Sequence, residues 1–240
     1  MKQSYTLAKY LFFALMVLAV IIALIFYRVE KNRQQVAETV INPVSDDTVL
    51  VIDPGHGGED GGAAAPGGVT ESSINLDIGL KLASLTEFCA LPRQLTRSSQ
   101  EIDYPPEANT VSKRKTYDLK QRARLTEDTE NAVLISIHQN FYPHGSPKGP
   151  QVFYSKNQGS LLLAELTQQA VNRAVWPENK RVATPVSNRI FLFKNVSCPA
   201  ILAECGFLSN KQEALLLQRD SYRLRLALAM LEAYCTYIDQ

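Results

Sequence analysis

The 240-residue sequence has no excess of charge of either sign: 25 lysines and arginines stand against 24 aspartates and glutamates, a formal net charge of +1. Without a concentrated basic face it lacks the electrostatic footprint of a nucleic-acid binder, so nucleic acid is not expected as a partner. The short run Lys113, Arg114, Lys115 reads as a solvated loop rather than a polyanion contact. The four cysteines, Cys89, Cys198, Cys205 and Cys235, contain no CxxC pair and fall short of a disulfide scaffold, which argues against a zinc knuckle or a redox motif. Cys198 and Cys205 bracket an expected strand and read as small buried hydrophobes. There is no internal repeat and no low-complexity tract. The glycine-rich stretch 55–62 lacks both GxGxxG and GxxxxGK[ST], and Glu59 and Asp60 sit where an anion would, so a nucleotide-binding loop is not expected either.

What is present begins with an apolar run. Tyr10 to Tyr27 carries no charge and approaches the ~20 residues of a spanning helix. Lys2 and Lys9 precede it, and Arg28, Lys31 and Arg33 follow. A cleaved signal peptide wants small residues at its end, whereas Phe26, Tyr27, Arg28 and Val29 stand here, so an uncleaved anchor over 10–27 behind a short N-terminus (1–9) is the expectation. Basic residues on both flanks leave its orientation open. Residues 28–47 turn polar without an apolar period, as a tether would, and the folded domain is expected over 48–240.

Within that domain Val49-Leu50-Val51-Ile52 is a continuous run of strand formers ending in Asp53-Pro54-Gly55, which predicts a central strand buried on both faces. Ile74, Ile78, Leu82 and Leu85 recur at helical spacing, with Asn75, Asp77, Lys81 and Ser84 on other faces. Further strands are predicted around Gln94–Thr96, Ala132–Ile137, Gln151–Tyr154, Ile190–Phe193 and Pro199–Ala203. Helices are predicted near Lys115–Asp128, Ser160–Val175 and Lys211–Tyr237, the last turning Leu215, Tyr222, Leu226, Met230 and Tyr234 to the core. Strands alternating with helices imply an α/β domain: a twisted, mostly parallel sheet with helices on both faces.

In such a sheet the ligand lies beyond the carboxyl ends of the strands. His56, His138 and Glu204 follow three buried runs, and Glu71 opens the first helix, where the helix dipole favours a carboxylate. Read singly, a strand-terminal histidine is ordinarily a hydrogen-bonded core residue and Glu71 an exposed helix-end anion. Of the three histidines, however, two follow buried strands, and His144 lies in a Pro/Gly loop and is left to solvent. Two imidazoles and a carboxylate with one open position make a catalytic zinc site, with His56, Glu71 and His138 as ligands. Glu204 is the natural general base, since an activated water needs a carboxylate to take its proton. The alternative for Glu204 is an ion pair with Arg97 or Arg122, and the sequence does not choose between the two.

These residues resemble the zinc-dependent N-acetylmuramoyl-L-alanine amidases of bacterial cell walls. The likeness rests on Val51-Ile52-Asp53-Pro54-Gly55-His56-Gly57-Gly58 with Asp60 and Gly62, on Glu71 before Asn75-Leu76, on Leu95-Thr96-Arg97 and Gln121-Arg122, on Ile135-Ser136-Ile137-His138 with Asn140, and on Ala203-Glu204-Cys205-Gly206-Phe207-Leu208-Ser209-Asn210. The resemblance implies one zinc per chain held by His56, Glu71 and His138, Glu204 as catalytic acid/base, and cleavage of the amide between N-acetylmuramic acid and the first L-alanine of the peptidoglycan stem. Gln139, Ser98 and Cys205 depart from the usual pattern without removing a ligand or Glu204.

A minimal catalytic domain behind one anchor further resembles the spore-cortex, germination-specific members. That likeness implies a lipoprotein activator as partner, membrane attachment through the N-terminal helix, and a catalytic domain outside the cytoplasm, in the cell wall or forespore intermembrane space. Two other readings stay open on the residues alone: a zinc peptidase acting within the stem peptide, and a non-catalytic wall-binding or partner-docking protein.

Overall fold

The apolar runs built from Val, Ile, Leu and Ala become the centre of a six-stranded sheet in the computed structural model, which describes residues 27, 47–65, 67–143, 147–187 and 189–240. The strands are β1 (Val49–Pro54), β2 (Arg93–Leu95), β3 (Ala132–Asn140), β4 (Gln151–Tyr154), β5 (Thr184–Pro185) and β6 (Ala200–Phe207), ordered β2-β1-β3-β6-β4-β5. All pairings are parallel except β4 with β6, so the sheet is mixed. Residues 10–26 of the expected span at 10–27, residues 28–46 of the tether at 28–47, and His144 lie outside the described residues. Among the described residues no helix is long and apolar enough to cross a membrane.

Successive side chains of a strand point to opposite faces, and this alternation sorts the core into two layers. Leu50 and Ile52 of β1, Val133, Ile135 and Ile137 of β3, and Ile201 and Ala203 of β6 face the larger cluster. It is covered by α1 (Glu71–Phe88), α3 (Ser160–Val175) and α6 (Asp220–Ile238). Ile74, Ile78 and Leu82 of α1 are buried against it, each contributing roughly 1.5–3 kcal/mol over an exposed position. Val51, Leu134, Ala200 and Leu202 face a smaller cluster, covered by α2 (Val111–Glu127) and α4 (Phe191–Lys194). Asp53, Ser136, His138 and Glu204 are the next positions outward on that thinner side.

Several expectations are corrected. Ile190–Phe193, read as a strand, leads into the helical turn α4, whose Leu192 and Phe193 pack on the sheet. A four-residue apolar run satisfies either geometry, and tertiary packing decides. The C-terminal helix is two helices: α5 (Lys211–Leu217), capped by the Asn210 side chain accepting from the N–H groups of Gln212 and Glu213, and then α6. Leu215 therefore points to solvent, while Tyr222, Leu226, Met230 and Tyr234 are buried as expected. Lys113, Arg114 and Lys115 lie in the first turns of α2, not in a loop. His138 and Glu204 stand inside β3 and β6 rather than after them, and β3 shifts register between His138 and Asn140.

Candidate metal centre and catalytic cleft

The parallel register of β1, β3 and β6 brings together side chains far apart in sequence. His138 of β3 is paired with Glu204 of β6, and Asp53 of β1 with Ser136 of β3. Just past β1 the chain turns sharply, with His56 in a left-handed conformation (φ 59°) that a non-glycine residue holds only when its surroundings enforce it. Glu71 reaches over the sheet edge from the first position of α1.

The Glu71 carboxylate is the centre of the group. Its Oε1 lies 3.3 Å from His56 Nε2 and 3.0 Å from His138 Nδ1. The same oxygen accepts the backbone N–H of Gln139 at 3.0 Å, and Oε2 accepts that of Ala63 at 3.0 Å. Burial works against the charged form, but these histidines hold the Glu71 carboxyl far below the ordinary carboxylate range. The His56 and His138 rings meet edge to face with centroids 4.9 Å apart. One donor atom from each of His56, Glu71 and His138 lies within 4.8 Å of the other two.

Ligands at about 2.0–2.2 Å in a tetrahedron stand about 3.4 Å apart, so this nitrogen, nitrogen and carboxylate set fits a zinc ion with little movement. Beside it, Glu204 Oε2 is buried with no hydrogen-bond partner among the described residues, an orphaned acceptor facing the same space. Burial pushes the Glu204 carboxyl up to about 7, with His138 drawing it partly back and Glu71 adding to the rise. Neither Arg97 nor Arg122 pairs with it.

Those arginines do something the sequence reading missed. Arg122 binds Asp53 Oδ1 at 2.7 Å, Pro54 O at 2.8 Å and His56 O at 2.7 Å. Arg97 donates to Pro54 O at 2.8 Å, Gly55 O at 3.1 Å and Ser72 O at 2.7 Å. Both guanidiniums grip carbonyls of the turn that carries His56, while Arg122 is also ion-paired with Asp118 at 2.9 Å. Burial, and then the neighbouring Arg122 charge, bring Arg97 down to about 10. Bonds to backbone oxygens leave no trace in residue spacing, so the motifs Leu95-Thr96-Arg97 and Gln121-Arg122 mark the two arginines without telling what they hold.

Asp60 supports His56 from outside: its Oδ2 lies 3.0 Å from His56 Nδ1, within ion-pair reach though off a good hydrogen-bond line, and 2.8 Å from Lys115 Nζ. Burial opposes ionisation, but Lys115 and then His56 hold Asp60 down to about 2. Arg114 likewise pairs with Glu59, so the basic residues of α2 brace the acidic glycine-rich loop. A Cβ at Gly55 would overlap the His138 ring, and one at Gly62 would crowd Glu71 and His56. These glycines serve close approach between side chains, not a bound phosphate.

A cavity of about 250 Å³ opens beside the cluster, lined by His56, His138 and Glu204 and by the apolar Leu119, Phe191 and Leu202. The α4 segment misread as a strand is thus part of the cleft wall.

Residues 50–235 match the family described as N-acetylmuramoyl-L-alanine amidase. The germination-specific N-acetylmuramoyl-L-alanine amidase of Bacillus subtilis is 32% identical over 194 residues, which cover 80% of this chain and 80% of that one. The LytC amidase of the same organism is 28% identical over 85% of this chain and 38% of its own length. Among solved structures, the CwlD amidase of Clostridioides difficile, determined in complex with the GerS lipoprotein, superposes with a TM-score of 0.76 at 33% identity, covering 80% of this chain and 98% of that one.

Proposed function

The chain belongs to the N-acetylmuramoyl-L-alanine amidase family, and from that membership and the geometry above we propose that it hydrolyses the amide between N-acetylmuramic acid and L-alanine in peptidoglycan, with one zinc held by His56, Glu71 and His138. The observation that carries this reading is the Glu71 carboxylate shared by two imidazoles, with the orphaned Glu204 carboxylate beside them. When bound, zinc supplies Lewis-acid polarisation of the amide carbonyl and a water acidic enough to attack near neutral pH.

The protein's own residues do the rest. Glu204 takes the proton from the attacking water and passes it to the leaving L-alanine nitrogen, a carboxyl poised near neutrality being suited to both transfers. Asp60 and the backbone N–H of Gln139 hold His56 and Glu71 in orientation. Leu119, Phe191 and Leu202 exclude water from one wall of the cavity.

The reading extends to a spore-cortex, germination-linked role with a lipoprotein activator; the similarity to a germination-specific amidase and to one solved with a lipoprotein supports it. It also holds that residues 10–27 anchor the chain with the domain outside the cytoplasm, supported by their apolar run and by the location of peptidoglycan.

The test is digestion of purified peptidoglycan by the detergent-solubilised chain, with zinc and after chelation, followed by mass spectrometry. Zinc-dependent release of intact stem peptides bearing a free L-alanine amine is expected. Shortened stems left on intact glycan would make the chain a peptidase instead.

A further inference from the structure

Two of the four thiols lie at the end of the sheet opposite the cleft. Because β1 and β6 run parallel in one sheet, α1 and α6, which return along the same face after them, also run parallel to each other. Near the start of the contact they are tied by charge: Asp77 pairs with Arg223, and Lys81 Nζ lies 2.7 Å from Asp220 Oδ1. Cys89 follows Asp77 by 12 residues and Cys235 follows Arg223 by the same 12. At about 1.5 Å per residue both chains climb about 18 Å from the ion pair, so the two cysteines come level.

A second set of contacts fixes the same height independently. The Tyr234 hydroxyl donates to Thr48 O at 3.0 Å, and the Leu50 N–H donates to Pro92 O at 3.0 Å. Thr48 and Leu50 stand two residues apart at the amino end of β1, so the neighbours of both cysteines are pinned to the same end of one strand. Cys89 is exposed at the C-cap of α1, and half-buried Cys235 packs at the margin of the larger core. Burial and then the proximity of Cys89 raise the Cys235 thiol above its ordinary value. Cys205 is buried in β6, and Cys198 packs with the smaller cluster on the other face.

We propose that Cys89 and Cys235 are a disulfide-forming pair that bolts α1 to α6 in an oxidising compartment. The oxidant is a disulfide, either a small-molecule disulfide or that of a thiol oxidoreductase. The Cys89 thiolate attacks one of its sulfurs, forming a mixed disulfide and releasing one thiol; the Cys235 thiolate then attacks the Cys89 sulfur and releases the second. The two cysteine sulfurs lose two electrons in all, the oxidant is reduced to two thiols, and the two cysteine protons end on them.

The full chain in detergent is equilibrated with oxidised glutathione, alkylated under denaturing conditions and mapped by mass spectrometry. The expected result is a peptide joining Cys89 to Cys235, with Cys198 and Cys205 alkylated, and a melting temperature higher by about 5–15 °C than in the reduced chain. Cys89→Ser, a change at an exposed position, abolishes both the joined peptide and the thermal shift. Four alkylated thiols, glutathione retained on Cys89 with Cys235 free, or a crosslink through Cys198 overturns the proposal. Because thiol mapping needs no turnover, its outcome is independent of whether the chain proves to be an amidase.

Discussion

His138 and Glu204 are register partners across β3 and β6, so a metal-ligand candidate and an acid/base candidate are held side by side by the hydrogen-bonded sheet itself. Both side chains emerge on the thinly covered face, and neither depends on a loop for its position. Glu204→Gln keeps nearly the same shape and leaves the three donors of the cluster untouched. Its zinc content is expected to match that of the parent chain while stem-peptide release falls by about 10²–10⁴-fold. Metal analysis and product release on the same sample check this, and unchanged release would remove Glu204 from the chemistry.

His56→Ala and His138→Ala are expected to lose the metal outright. Asp60→Asn is expected to weaken zinc affinity by about 10–100-fold without changing the ligand set, because its carboxylate braces the His56 ring without being one of the three donors. Competition against a chromophoric chelator separates the two classes of variant. Full occupancy in either alanine variant would show that the ligand set is wrong.

The central strands β1, β3 and β6 and the neighbourhood of the site were legible in the sequence, because fully buried strands leave unbroken apolar runs and a titratable residue closing such a run needs a reason to be there; the two-residue β5 (Thr184–Pro185) was not. His138 and Glu204 follow that logic. The segment Ile190–Phe193 was not legible, since four apolar residues fit a helical turn as well as a strand. The break between α5 and α6 was hidden because Leu215 continues the helical period although it faces solvent. The antiparallel pairing of β4 with β6 depends on how the loop 141–150 returns, which strand composition does not encode. The hold of Arg97 and Arg122 on the turn after β1 was invisible for a different reason: the oxygens they grip there are carbonyls, which every residue has.

Gly55 tests how closely the site is packed. Gly55→Ala places a methyl group within the volume of the His138 ring, which has to turn away from Glu71 to admit it. Zinc affinity is expected to drop at least about tenfold while the far-ultraviolet dichroism is retained. An alanine variant with parent-like affinity would mean that the ring has room the structure does not show.

Asp53 and Arg122 form a buried ion pair whose stability should follow pH in a definite sense. Burial disfavours the Asp53 carboxylate, but Arg122, then the hydroxyls of Ser136 and Thr96, outweigh it and depress its pKa. A carboxyl depressed on folding contributes stability that is complete above its unfolded pKa of about 3.9 and is lost as pH falls through the folded value. Asp53→Asn is expected to cost about 1.5–3 kcal/mol at pH 7, where Arg122 keeps its ion pair with Asp118 but loses a buried charged partner, and to flatten the acid limb below pH about 4. Urea unfolding followed through Trp176, the single tryptophan, measures both. An unchanged acid limb would place the titration elsewhere.

The arginine clasp on the turn after β1 also bears on which ions the cleft can accept. With the carbonyls of Pro54, Gly55 and His56 engaged by Arg97 and Arg122, those oxygens are withdrawn from the space between His56, Glu71 and His138. Calcium and magnesium favour all-oxygen coordination, whereas the space offers one carboxylate beside two imidazoles, a donor set that suits zinc better than either. At the proposed zinc site, preference for zinc over the abundant hard cations would come from what the clasp hides as well as from the nitrogens it leaves in view.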